Sequence, residues 1–260
     1  MLEIASALDT LRRDGVLFAE RYLDAAAVGD IRREIEALFA APKAGVRIGD
    51  HPPGRMLTIR SRLASVTELP HVLGAFWRAD LAGLARAYLP RGAEIHAKVV
   101  ATHEIRPGPI TDTHFDAFRS LKFLLYLVDT DEANGAFRYA PGSQAENHAL
   151  RQAFLGQGGY LMALPNIAAP SEAIPLRSHA GPAGSLIVFD TEGFHAGGRL
   201  SAGTERMTLR ASSDFPGQPP SIGPRRFTLD WLRCRLNLLP PRPPVVIPGR
   251  GSTAGTARRR

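Results

Sequence analysis

A chain of 260 residues with 44% hydrophobic content can bury a sizeable core in one domain, and its single cysteine, Cys234, excludes an internal disulfide framework and a thiolate metal cluster. No run of 18 apolar residues is present, the opening MLEIASALDTLRRDG lacks the apolar region of a secretory signal, and a lone thiol fits a reducing compartment, so the expectation is a cytoplasmic protein without a membrane partner. The net charge of +7 is concentrated in residues 241–260, where five arginines stand without an acid. The rest carries +2 and shows no basic stripe interleaved with aromatics, which argues against a nucleic-acid partner.

In chain order, Leu8 and Leu11 give a short helical stripe ended by Asp14-Gly15, and Val16-Leu17-Phe18 reads as a short strand. Asp24 is placed to cap a helix whose apolar residues Val28, Ile31, Ile35 and Leu38 recur at spacings of three and four. Residues 41–69 open irregularly, with His51-Pro52-Pro53-Gly54 and Arg47, Arg55, Arg60 and Arg62. They read as a surface loop or as a substrate-facing lid. Pro70 to Leu89 is a second helical region, with Asp80 as its candidate cap.

From Glu94 the period changes to two. Ile95, Ala97, Val99 and Ala101 alternate with His96, Lys98, Val100 and Thr102. After an Arg106-Pro107-Gly108-Pro109 turn come an apolar strand over 121–129, an Asn134-Gly135 turn, a strand over 136–140 and Pro141-Gly142-Ser143. A helix is expected near 147–155, then strands over 185–190 and 206–212. Several short strands between turn signals indicate a β-barrel or sandwich. The chain thus divides into one domain over 1–240, helical in 1–90 and β in 94–215, and a disordered basic tail over 241–260.

The chemistry centres on Thr113-His114-Phe115-Asp116 and the distant His195. On an extended strand, residues two apart share a face, so His114 and Asp116 project together. Two histidines and one carboxylate leave three positions open on an octahedral metal, the facial triad of non-haem iron(II) oxygenases. A His-x-Asp pair alone is common and says little. Its place before a strong strand, with turns, a late histidine and an arginine downstream, gives it weight.

On His114-Phe115-Asp116, LKFLLYLVDTDEANGAFRYAPGSQ (121–144), GSLIVFDTEGFHAGG (184–198) and Arg206, with a more generic likeness over 14–38, residues 10–215 resemble the phytanoyl-CoA dioxygenase family of iron(II)/2-oxoglutarate oxygenases. Where that family often has histidine after Pro-Gly-Ser, this chain has Gln144, which is not a metal-ligand position. The resemblance implies a mainly β fold with flanking helices, the double-stranded β-helix or cupin-like jelly roll. It implies iron(II) held by His114, Asp116 and His195 as the catalytic metal ligands, and 2-oxoglutarate as co-substrate.

The resemblance places Arg206 on the far carboxylate of 2-oxoglutarate, where a guanidinium can fork. Arg210, four residues on, is the fallback. Lys122 has the parity of Leu124 and Tyr126; turned inward it would contact co-substrate or substrate, turned outward it would be solvated. Retention of Asp116, which related halogenases replace with a small residue, implies oxidation rather than halogenation. The expected function is hydroxylation of an unactivated C–H bond in a small organic molecule, either a specialised metabolite or an acyl-thioester intermediate, with release of succinate and CO2. The loop arginines favour an anionic or carrier-tethered substrate. Two other readings are a catalytically silent β-helix binding module and a nucleic-acid demethylase of the same superfamily. His96, His103, His148 and His179 lack matching partners as ligands, Cys234 reads as a packing residue, Glu192, three residues before His195, as an exposed turn acid ahead of a partner that orients a metal-bound imidazole, and Phe118 and Arg119 as lining the substrate side.

Overall fold

The computed structural model describes residues 1–43, 45–51, 53–60, 67–89, 94–116, 119–148, 166–168 and 174–214. These belong to one compact unit, Met1–Ser221. The expected basic tail, Cys234, Phe118 and most of the helix expected near 147–155 lie outside the described residues; a helical turn over 143–148 reaches the first two residues of that last stretch.

The elements run α1 (Ile4–Asp14), β1 (Val16–Ala19), α2 (Ala25–Ala40), β2 (Val46–His51), β3 (Gly54–Arg60), α3 (Pro70–Gly74), α4 (Ala79–Tyr88), β4 (Glu94–Glu104), β5 (Gly108–Pro109), β6 (His114–Asp116), β7 (Ser120–Tyr126), β8 (Phe137–Tyr139), β9 (Asn166–Ala168), β10 (Arg177–His179), β11 (Leu186–Asp190), β12 (His195–Ala196), β13 (Arg199–Leu200) and β14 (Arg206–Asp214). A seven-stranded antiparallel sheet has the order β1-β11-β7-β14-β4-β3-β2, and a five-stranded sheet the order β10-β8-β12-β6-β9. With α1–α4 alongside, this is the expected double-stranded β-helix. Among the described residues no helix is long and apolar enough to cross a membrane.

Strand parity sorts the large sheet into two faces. Val99 and Ala101 of β4, Leu121, Phe123 and Leu125 of β7, Leu186 and Val188 of β11, and Met207, Leu209 and Ala211 of β14 pack with the helices. The alternate residues turn inward, where Leu124, Tyr126, Ile187 and Phe189 meet Phe137 and Tyr139 of the smaller sheet. The helical stripe Val28, Ile31, Ile35 and Leu38 is buried as its spacing predicts, and truncating one such residue to alanine costs about 2–5 kcal/mol.

Caps explain where the first two helices start and stop. The Asp24 carboxylate accepts from the Ala27 N–H at 2.8 Å, opening α2. Gly15, at φ 74°, closes α1 by donating its N–H to the Leu11 carbonyl. Gln144, buried at the family's variant position, donates weakly to the Arg12 and Arg13 carbonyls at the end of α1.

The structure departs from the sequence reading at two places. Residues 46–60 are not an irregular loop: β2 and β3 form an antiparallel hairpin that extends the large sheet, with Leu57 and Ile59 fully buried against the helices. Asp80 does not cap α4, whose N-cap is Arg78; its carboxylate instead takes the Leu2 N–H and the Tyr22 hydroxyl, both at 3.0 Å.

Candidate active site

His114 and His195 face each other across adjacent antiparallel strands, in direct register between β6 and β12. Their rings lie 4.3 Å apart, centroid to centroid. Asp116, two residues along β6, falls on the same face, and one ligand atom from each of the three lies within 4.8 Å of the others.

The proton positions follow from the hydrogen bonds. His114 Nδ1 faces the Asp112 carbonyl at 2.7 Å and His195 Nδ1 faces the Gly193 carbonyl at 2.9 Å. A carbonyl only accepts, so each Nδ1 carries the proton and each Nε2 presents a lone pair. Those two Nε2 atoms lie 3.6 and 3.7 Å from Asp116 Oδ1. With both rings neutral, three electron-pair donors converge there, an arrangement suited to a cation.

Burial alone would raise the Asp116 carboxyl, but the two neighbouring imidazoles and the Lys122 ammonium hold it well below the usual carboxylate range. Burial, aided by His114 and Lys122 and opposed by Asp116, pushes the His195 imidazole down to about 3. An ionised carboxylate and a neutral imidazole are the protonation states that a metal requires.

The three residues open on a cavity of about 290 Å³ that Arg206, Arg210, Lys122 and Glu104 also line. Lys122 points inward and makes an ion pair with Asp116. Arg206 is 4% exposed, with its guanidinium 3.5 Å from the Glu104 carboxylate directly across the β14–β4 pair. This contact is not a full hydrogen-bonded fork, since Arg206 Nε and Glu104 Oε2 are both buried and neither makes a hydrogen bond. Arg210 lies two inward positions further along β14, and burial lowers its guanidinium from the usual range. Glu104 was not singled out by sequence, although it continues the inward parity of Val100 and Thr102. Thr102 meets Thr208 hydroxyl to hydroxyl at 2.8 Å across the same strand pair.

Behind the site, a buried network joins the two ligand-bearing segments. The Arg119 guanidinium donates to Asp190 Oδ2 from Nε and Nη2 at 2.9 and 2.8 Å and lies 3.0 Å from Glu192. Tyr88 donates its hydroxyl to Asp190 at 2.8 Å, and His148 Nδ1 meets Glu192 at 2.9 Å. The Thr191 carbonyl takes the Asp116 N–H at 2.9 Å, and its hydroxyl takes the Ser120 N–H at 2.8 Å. Glu192 is thus 1% exposed rather than an exposed turn acid, and Arg119 faces this network rather than the substrate side.

Among the described residues, two of the other candidate histidines have partners outside the triad. His103 pairs with Glu205, and His179 packs on Phe18 and Phe137. The His96 side chain lies outside the described residues.

No curated protein sequence matches this chain. Among solved structures, the epimerase SnoN, in complex with Fe3+, alpha ketoglutarate and nogalamycin RO, superposes with a TM-score of 0.59 at 18% identity, covering 83% of this chain and 91% of SnoN. HygX from Streptomyces hygroscopicus, with nickel and 2-oxoglutarate bound, gives 0.59 at 14% identity over 84% of this chain and 88% of HygX, and it has also been solved with hygromycin B. EctD from S. alaskensis gives 0.57 at 18% identity over 81% of this chain and 76% of EctD. At these identities the likeness shows the fold. The family comes from the sequence: residues 11–208 match the model of Phytanoyl-CoA dioxygenase (PhyH), so the chain belongs to that family of 2-oxoglutarate-dependent dioxygenases, with iron and 2-oxoglutarate as cofactors.

Proposed function

We propose that this enzyme oxidises an unactivated C–H bond of a small organic molecule, hydroxylation being the favoured outcome. In this reading His114, Asp116 and His195 hold the iron. Bound there, iron and 2-oxoglutarate supply the activation of dioxygen, with 2-oxoglutarate leaving as succinate and CO2. The observation that carries the reading is the convergence of three electron-pair donors on a buried cavity with guanidiniums on its opposite wall.

The chain's own residues have distinct tasks. The Nδ1 bonds to Asp112 and Gly193 fix both imidazoles with Nε2 toward the centre. Lys122 balances the Asp116 charge, and a metal would take over that role in part. Arg206 has donors left after its loose contact with Glu104 and would take the far carboxylate of 2-oxoglutarate. Leu124, Phe137 and Phe189 wall the cavity with apolar surface, keeping water from the reacting centre. Asp116 fills the position that a halide would need, which supports oxygenation over halogenation. SnoN and HygX, solved with nogalamycin RO and hygromycin B, support a specialised metabolite as the substrate class.

The test is calorimetric titration of 2-oxoglutarate with and without added metal, followed by iron-dependent succinate release. His114→Ala should abolish both the metal-dependent binding and the turnover. Metal-independent 2-oxoglutarate binding, or none at all to wild-type protein, would overturn the assignment.

A further inference from the structure

The charges that line the cavity do not cancel. Among the described residues they are Glu104, Asp116, Lys122, Arg206 and Arg210. Lys122 pairs with Asp116, and Arg206 with Glu104. No carboxylate or carbonyl of the described residues takes a hydrogen bond or an ion pair from Arg210. Its cross-strand neighbours are Val100 of β4 and Leu124 of β7, both apolar. A cation held inside a protein without an anion is costly, and such groups persist where a partner arrives.

The cofactors do not provide that partner. Iron(II) brings two positive charges and 2-oxoglutarate two negative ones, so loading both leaves the balance of the cavity as it was. The surplus positive charge at Arg210 remains.

We propose that Arg210 is the specificity residue that receives a carboxylate of the primary substrate. This rests on the oxygenase reading and narrows it to acids. A planar guanidinium offers a carboxylate two parallel N–H donors, and it cannot shed its proton to escape burial. Val100 and Leu124, the residues directly opposite on the two neighbouring strands, offer those donors no side-chain acceptor. They also suit an organic acid whose carbon skeleton lies against Leu124 and Phe189.

The experiment uses full-length protein loaded with nickel(II) in place of iron, so that binding is read without turnover. Titrating 2-oxoglutarate into wild type, Arg206→Gln and Arg210→Gln separates the two arginines. Arg206→Gln should lose about tenfold or more in affinity, and Arg210→Gln should stay within about threefold of wild type. The nickel/2-oxoglutarate protein is then titrated with a panel of small aliphatic and aromatic monocarboxylic acids and their methyl esters. Wild type should bind at least one acid about tenfold more tightly than its ester, and Arg210→Gln should lose that preference. Arg210→Met, which keeps an unbranched apolar stem, replaces the glutamine variant if the latter does not fold, and the acid–ester comparison on wild type stands without either.

A fall in 2-oxoglutarate affinity in Arg210→Gln equal to that in Arg206→Gln would overturn the assignment and give Arg210 to the co-substrate. Equal binding of acids and esters to wild type, or binding of neither, would also overturn it while leaving the oxygenase reading intact. Failure of nickel-loaded wild type to bind 2-oxoglutarate would overturn both.

Discussion

Arg119→Leu should be among the most damaging single changes outside the metal ligands. The guanidinium serves two carboxylates at once, Asp190 at 0% and Glu192 at 1% exposure. After its removal Glu192 keeps His148 and Asp190 keeps the Tyr88 hydroxyl, but the fully buried Asp190 carboxylate loses the guanidinium that paired with it. Breaking a buried pair by deleting one partner costs about 3–5 kcal/mol. Against a total stability of about 5–15 kcal/mol that is a large share, and for a domain of this size it lowers Tm by roughly 10 °C. The ties from Thr191 to Asp116 and Ser120 run beside this pair, so the variant should also bind metal about 10–100-fold more weakly. Denaturant unfolding gives the first quantity and metal titration the second. Adding Asp190→Asn removes one stranded charge, and the double variant should be more stable than the sum of the single losses by about 1 kcal/mol or more. A loss below about 1 kcal/mol in Arg119→Leu, or strict additivity in the cycle, would mean that solvent screens the network and would refute the reasoning.

Three further outcomes follow from the same structure. Burial, with Arg177 nearby, pushes the His179 imidazole down to about 4. The native state therefore keeps the ring neutral while the unfolded chain takes up a proton below about 6.5, and stability should fall by up to about 3 kcal/mol as pH drops from 6.5 to 4. His179→Phe should remove that part of the dependence in pH-resolved unfolding, which separates it from the parallel contribution of His195. Gly193→Ala would place a Cβ 1.8 Å from the Tyr139 hydroxyl, forcing away a buried ring whose hydroxyl donates to the Asp190 carbonyl. A loss of about 2–4 kcal/mol and weaker metal binding are expected from unfolding and titration. Arg206→Lys keeps the charge but loses the fork, so 2-oxoglutarate affinity should drop less than in Arg206→Gln, as calorimetry can measure.

The site's outline was legible because its logic is local. The spacing of His114 and Asp116 and the strand after them are properties of neighbouring residues, and parity alone turns Arg206 and Arg210 to the same side. What sequence missed depends on distant partners. Glu192 looks like a turn acid until Arg119 and His148, the latter 44 residues away, are brought against it. Asp80 has the composition of a cap, but its carboxylate is engaged by Leu2, 78 residues earlier. The β2–β3 hairpin was hidden by its charged and proline-rich composition: among its described residues only Leu57 and Ile59 are fully buried in the core, too few to show a period.

The alternation along β14 carries a consequence for how this enzyme can change. Met207, Leu209 and Ala211 belong to the core under the helices, while Arg206, Thr208 and Arg210 face the cavity. Inserting or deleting one residue within 206–210 would exchange the two sets beyond the change, driving a guanidinium into the hydrocarbon layer and an apolar side chain into the cavity. Individual side chains on the cavity wall can be replaced while the strand stays in place, so new substrates are reachable by substitution. A change of length there removes the fold together with the chemistry, which leaves the loops between strands as the places where this chain can grow or shrink.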